Sequence, residues 1–202
     1  MESSIKTFEK QGYALIKNFL PKDVALFLSD YLKVRKEIKQ AAGEQTTDPQ
    51  IPDASCIFSQ EPVLETLYLQ YTEKMKELTG VDVLPTYIYA RIYQNGNELH
   101  PHKDRPSCEI SATIKLDESE NYTWPICVEE GSFKLDVGDA VIYRGCDVLH
   151  WRDKCEADED YFLSQMFMHF IDKNGPYAEY VFDKIPARQF VLTKCMGLSL
   201  QH

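Results

Sequence analysis

The sequence predicts a mainly β domain with some α content: an eight-stranded double-sheet jelly roll supported by N-terminal helices. Two observations carry that expectation. Helical periodicity is confined to the first 80 residues, and from residue 84 to 171 the texture changes to short alternating segments separated by small polar turns. A third observation limits the number of domains, because 202 residues with 44% apolar content can bury one full core and leave little for a second. The expected layout is one domain over 1–202, with helical support and one strand over 1–80, the barrel over 84–171 and a C-terminal extension over 172–202.

Each element has its own signal. Residues 12–17 read as extended. Pro21 opens a helix near its first turn, followed by apolar Val24, Phe27, Leu28, Tyr31 and Leu32 at mixed helical spacing. The stretch 40–53, QAAGEQTTDPQIPD, is loop chemistry and is expected to be a lid or an unstructured connection. Residues 62–80 carry Leu64, Leu67, Tyr68, Tyr71, Met75 and Leu78 at helical intervals and stop at Gly80, a suitable C-terminal cap. Strands are expected at 84–93, 98–104, 109–116, 124–129, 132–135, 140–144, 148–152 and 161–171. From Lys173 onward the chain is expected to return across the barrel. No internal repeat points to a solenoid.

Composition excludes several function classes. A net charge of −10 and a pI near 5.0 argue against a nucleic-acid partner, which needs a basic surface. Cysteines at 56, 108, 127, 146, 155 and 195 show no CxxC spacing and follow no secretory leader, so reduced and mostly buried thiols are expected. No apolar run reaches the length of a membrane span, and MESSIKTFEK lacks a transit-peptide signature. A soluble, cytoplasmic protein without a membrane partner is the expectation.

The chemistry centres on residues 89–104, YARIYQNGNELHPHKD. His102 and Asp104 stand two positions apart, which puts an imidazole and a carboxylate on one face of an extended strand. One more imidazole completes a facial triad of the kind that holds non-haem Fe(II) and leaves three positions open. His150 is the nominee, because the segment GDAVIYRGCDVLHWR (138–152) turns, runs as a strand, turns again and returns through it. A competing set uses His100 with His102 as an HxH pair, but the Glu that a cupin would need comes too late, at Glu109.

HxD approached through Tyr-Gln-Asn-Gly, with a strand-borne His after a GDAVIY turn, resembles the Fe(II)/2-oxoglutarate-dependent oxygenases, in their prolyl-hydroxylase-like branch. The resemblance covers roughly residues 84–171. It implies a double-stranded β-helix, iron held by His102, Asp104 and His150, and 2-oxoglutarate and O2 as co-substrates. Relatives of this branch place a base for the distal carboxylate of 2-oxoglutarate on strand eight, whereas EDYFLSQ (159–165) holds none.

Strand parity offers substitutes. In ISATIKL (110–116) the apolar residues share one face, leaving Ser111, Thr113 and Lys115 to point into the barrel. Arg152 falls on the face of His150 and has a fork that matches a carboxylate. Tyr87, Tyr89, Arg91 and Tyr93 share a face and are expected to line the cavity. The resemblance places Tyr93 beside 2-oxoglutarate, and Arg91 and Arg105 could meet an acidic group. Lys115, Arg152, Tyr93, Arg91 and Thr113 are thus the expected co-substrate residues, Trp124 and Trp151 are core or rim, and His169 is a barrel histidine with its ring nitrogens satisfied.

The implied reaction oxidises a C–H bond of a small-molecule or peptidyl substrate and releases succinate and CO2. Asp104 argues against a halogenase, which by the same resemblance gives up this carboxylate, so hydroxylation comes first; desaturation and ring closure stay open, as do substrate and oligomeric state. The alternatives are a cupin-type metal dioxygenase without 2-oxoglutarate and a non-catalytic metal- or ligand-binding barrel.

Overall fold

The computed structural model describes residues 2–44, 50, 51, 56–185 and 194. Helix α1 (Glu2–Gln11) is followed by β1 (Tyr13–Ile16), α2 (Lys22–Ala41), β2 (Cys56–Ser59) and α3 (Pro62–Thr79). Eight strands then complete the barrel: β3 (Val83–Gln94), β4 (Leu99–His102), β5 (Ile110–Glu118), β6 (Ile126–Val128), β7 (Gly131–Phe133), β8 (Ala140–Tyr143), β9 (His150–Arg152) and β10 (Phe162–Asp172). Both long helices follow the signals in the sequence. α3 has Pro62 in its first turn and ends on Gly80 in the left-handed conformation (φ 71°), where a side chain would be strained.

All strand pairs are antiparallel and form two facing sheets. The larger has the order β1-β8-β5-β10-β3-β2 and the smaller β4-β9-β6-β7. The eight expected strands are present, although those around residues 126, 132 and 150 are shorter than their patterns suggested. Strand β2, which extends the large sheet beside β3, has no counterpart in the sequence reading. The expected loop 40–53 is partly helix, since α2 runs to Ala41; residues 45–49 and 52–53 lie outside the described residues, so its lid or unstructured character is not addressed. The C-terminal return is seen to residue 185, where Phe182 is fully buried.

The parity of β5 holds. Ile110, Ala112, Ile114 and Leu116 join Ile88, Ala90 and Ile92 of β3 and Met166, Met168 and Phe170 of β10 in a core against the helices, built with Leu28, Leu32, Leu64 and Met75. Burying such side chains contributes about 1.5–3 kcal/mol each, which fixes the opposite faces of the same strands toward the space between the sheets. Tyr68 of α3 repairs one irregularity. Pairing between β10 and β3 slips between His169 and Phe170, and the Tyr68 hydroxyl accepts from the Thr86 amide at 2.7 Å while donating to the His169 carbonyl. The bulge therefore leaves those two backbone groups satisfied, with Phe170 still in the helix-side core.

Cys108, Cys127, Cys146 and Cys155 are free thiols, three of them buried. No helix among the described residues is long and apolar enough to cross a membrane.

Candidate metal centre

A cavity of about 300 Å³ opens between the sheets. The small sheet brings two histidines to it, because His102 at the end of β4 is paired directly with His150 at the start of β9. Asp104 follows in the turn after β4, its amide donating to the Gly145 carbonyl at 2.8 Å. Gly145 also makes room: a Cβ there would lie 2.4 Å from Asp104 Oδ2 and 2.2 Å from the Cys108 carbonyl oxygen.

The donor geometry is consistent from residue to residue. His102 Nε2 and His150 Nε2 lie 3.7 and 3.4 Å from Asp104 Oδ1. Each Nδ1 faces the carbonyl two residues earlier, at 2.8 Å for His100 and 3.1 Å for Val148. Those carbonyls can only accept, so each Nδ1 carries the proton and each Nε2 presents a lone pair. Ligands at right angles around an ion with bonds of about 2.1 Å stand about 3 Å apart, so a small inward adjustment suffices for a divalent metal. Two imidazoles and one carboxylate with the far side open suit Fe(II), and the occupied Nδ1 atoms are the outer support that metal-binding histidines usually have.

Burial and neighbouring charge act on the same groups. Burial draws the Asp104 carboxyl up, but His150, His169 and His102 around it outweigh that and hold it below its usual value. Burial, then His150, pushes His102 down, which keeps its imidazole neutral. His100 is not part of the centre; its ring is 81% exposed and lies 3.3 Å from Glu98.

The walls come from the large sheet. Tyr87, Tyr89, Arg91 and Tyr93 line the cavity, as their shared face predicts, and burial raises the Tyr87 and Tyr89 hydroxyls so that both stay protonated. Arg91, 2% exposed, donates to the Tyr93 hydroxyl at 3.0 Å and to Gln50 Oε1 at 3.2 Å. The Gln50 amide nitrogen lies 3.2 Å from His102 Nε2. One carboxamide thus spans the distance from Arg91 to a proposed ligand.

Three expected co-substrate residues are elsewhere. Lys115 points inward but lies away from the cavity, with its ammonium donating to Glu118 and, at 2.9 Å, to the Leu135 carbonyl. Arg152 is buried with its fork occupied by the Trp124 carbonyl and by Gln165 Oε1, the latter at 2.7 Å. Gln165 in turn donates to Thr113. Parity reports which face a side chain takes, but not its depth along the barrel or the partners it finds there. Arg105, at the mouth with Lys103, forks onto Asp183 at 2.8 and 2.9 Å. His169 departs from expectation too: Nδ1 meets Ser111 at 2.8 Å, while Nε2 is buried with no hydrogen-bond partner among the described residues.

No family model and no curated protein matches the sequence. Solved structures do match in fold. The chain is similar to a prolyl-4-hydroxylase from Pseudomonas putida at 18% identity, with 84% of this chain and 97% of that chain covered and a TM-score of 0.62. It is similar to EctD from S. alaskensis, solved with 2-oxoglutarate and 5-hydroxyectoine, at 14% identity, 85% and 76% coverage and a TM-score of 0.66. A third is the non-heme, alpha-ketoglutarate-dependent carbocyclase SnoK from nogalamycin biosynthesis, at 11% identity, 85% and 84% coverage and a TM-score of 0.64. The chain therefore has the jelly-roll fold of these structures.

Proposed function

We propose that this chain is a non-haem Fe(II)- and 2-oxoglutarate-dependent oxygenase acting on a C–H bond of a small-molecule or peptidyl substrate, with hydroxylation as the first outcome to test. The observation that supports it most is the convergence of one ring nitrogen each of His102 and His150 and an Asp104 carboxylate oxygen, within 4.8 Å of one another, in a cavity with a buried arginine on its wall. With iron, O2 and 2-oxoglutarate bound, such a centre supplies oxidative decarboxylation of the keto acid coupled to oxidation of the substrate.

The chain's own residues have separable tasks. His102, Asp104 and His150 hold the metal. Arg91, supported by Tyr93, takes the distal carboxylate, since a buried carboxylate needs a cation and Lys115 and Arg152 are engaged elsewhere. Gln50 occupies the span that a small dicarboxylate would take between Arg91 and the ligands, so its amide gives way on binding. Leu99, Ile126 and Phe167 exclude water from the cavity, and Lys103 at its mouth favours an acidic substrate, beside Arg105, which is paired with Asp183.

Anaerobic titration of the Fe(II)-loaded protein with 2-oxoglutarate tests this reading through the weak visible charge-transfer band of the chelate. The band should form in the wild type and be absent in His150→Ala. Arg91→Met should weaken 2-oxoglutarate binding on the order of 100-fold, with Lys115→Met close to wild type. A wild-type protein that binds iron but gives no band would reject the reading and leave a dioxygenase without keto acid, or a binding barrel, in its place.

A further inference from the structure

Among the described residues, His169 is the one cavity histidine that the proposed centre does not use, and its surroundings prepare it as a ligand. Its ring is 3% exposed on β10 and lines the same cavity. The Ser111 hydroxyl beside Nδ1 also lies 3.2 Å from the Cys108 carbonyl and 3.3 Å from Asp104 Oδ2. Both of those can only accept, and giving one of them the hydroxyl proton while the oxygen receives Nδ1–H from His169 is the arrangement that avoids burying an Nε2–H with no acceptor. Nε2 is left with a lone pair, buried and without a hydrogen-bond partner among the described residues. His102 and His150 have the same arrangement: Nδ1 held from behind, Nε2 presented to the cavity.

Two further donors lie near the ring, Asp104 and Cys108, whose Sγ also meets the Tyr87 hydroxyl at 3.0 Å. Asp104, Cys108 and His169 each offer one ligand atom within 4.8 Å of the others, and all three line the cavity through which an ion would arrive. Asp104 presents Oδ1 to the first pair of histidines and Oδ2 toward Ser111, so its carboxylate faces both groups.

We infer that Asp104, Cys108 and His169 form a second, thiol-containing metal position that shares Asp104 with the first and takes a thiophilic divalent ion of the zinc or cobalt kind. A thiolate, an imidazole and a carboxylate match the ligand preferences of those ions and not of calcium or magnesium. Binding exchanges the Cys108 S–H bond for a metal–sulfur bond and releases one proton to solvent, with no change of oxidation state. Because the carboxylate is common to both positions, an ion in the second one competes with the first for Asp104 or bridges to it. The inference rests on the arrangement of donors and not on the oxygenase reading.

Anaerobic titration of the full-length, metal-free chain with Co(II) reads the second position directly, because a thiolate bound to cobalt absorbs in the near ultraviolet and N/O ligands alone do not. The absorption should develop in the wild type and in His102→Ala, and vanish in Cys108→Ser. Cys146→Ser, the nearby control thiol, should keep it, and His169→Ala should weaken cobalt binding at this position by at least about 100-fold. X-ray absorption of the zinc-loaded wild type guards against variants that fail to fold, with a sulfur neighbour expected at about 2.3 Å. Absence of the thiolate absorption at saturating cobalt, its survival in Cys108→Ser, or a zinc shell of nitrogen and oxygen alone would each overturn the inference. A thiolate absorption without any Fe(II)–2-oxoglutarate band would instead overturn the oxygenase reading and leave this position standing.

Discussion

The two sheets face each other across one cavity, yet they are built differently. The large sheet contains strands of 12 and 11 residues, β3 and β10, paired along nearly their whole length, with helices packed behind. The small sheet has strands of three or four residues, and its β4–β9 pairing slips between Leu99 and His102. The walls of the site, Tyr87, Tyr89, Arg91 and Phe167, stand on the long strands. Of the proposed Fe(II) ligands, His102 and His150 stand on short strands and Asp104 in the turn that follows β4. A ladder of main-chain hydrogen bonds places the walls, whereas close contacts between turns place the ligands, and a change in one should be felt differently from a change in the other.

The largest separable effect should come from the turn. Gly145→Ala puts a methyl group where Asp104 Oδ2 and the Cys108 carbonyl already are, so the carboxylate or the turn must move. Fe(II) affinity, measured by anaerobic competition with a chelator, should fall by about 100-fold, while the circular dichroism of the long strands stays that of the wild type. Unchanged affinity in a stably folded variant would mean that the turn contact does not position Asp104, and the contrast between the sheets would lose its functional content.

Arg152 sharpens the same contrast because it ties the sheets together. It belongs to β9, but its guanidinium reaches Gln165 on β10, which continues to Thr113 on β5. Arg152→Met strips the partner from a buried Gln165 and from the Trp124 carbonyl. A loss of about 2 kcal/mol in chemical unfolding follows from the charge-assisted hydrogen bonds removed. Binding of 2-oxoglutarate in the folded protein should stay within about threefold of wild type, since the lost bonds lie away from the cavity. A large loss of 2-oxoglutarate affinity with intact stability would return the carboxylate to Arg152 and remove it from Arg91.

Much of this was legible in the chain. Alternation placed Ile110, Ala112, Ile114 and Leu116 on the helix side, and the HxD spacing with the returning His150 picked out the three proposed ligands that the fold brings together. What was not legible shares one cause, the third dimension. Lys115 and Arg91 both point inward, but only their distances along the barrel and the positions of Glu118 and Gln50 decide which one faces the cavity. Strand β2 is four residues after a polar stretch, too short for a period to show. Gly145 looked like a turn residue, and nothing near it in sequence reveals that Asp104 lies against its α-carbon. His169 was expected to be satisfied, because a buried histidine usually is, and the unpartnered Nε2 depends on where Ser111 of another strand sits.

The smallest effect belongs to the layer behind the large sheet, where acid should act independently of the metal side. Glu61 at the start of α3 is joined to α2 by Arg35 at 3.1 Å and by the Tyr31 hydroxyl at 2.5 Å. Burial raises the Glu61 carboxyl, but the hydrogen bonds from Arg35 and Tyr31 outweigh it and hold the group below its ordinary value of 4.5, while burial and the carboxylate push Tyr31 up to about 12. A carboxyl with a depressed value in the fold binds its proton more readily when unfolded. Its stabilisation is therefore fully present above the ordinary value and is lost as pH falls through the folded one. Glu61→Gln should cost about 1–2 kcal/mol at neutral pH and flatten the acid-side decline, as followed by urea unfolding at neutral and acidic pH. Equal losses at both pH values would show that the carboxylate's charge is not what joins α2 to α3. A change in Fe(II) affinity in this variant would show that the helix layer and the short strands are coupled after all.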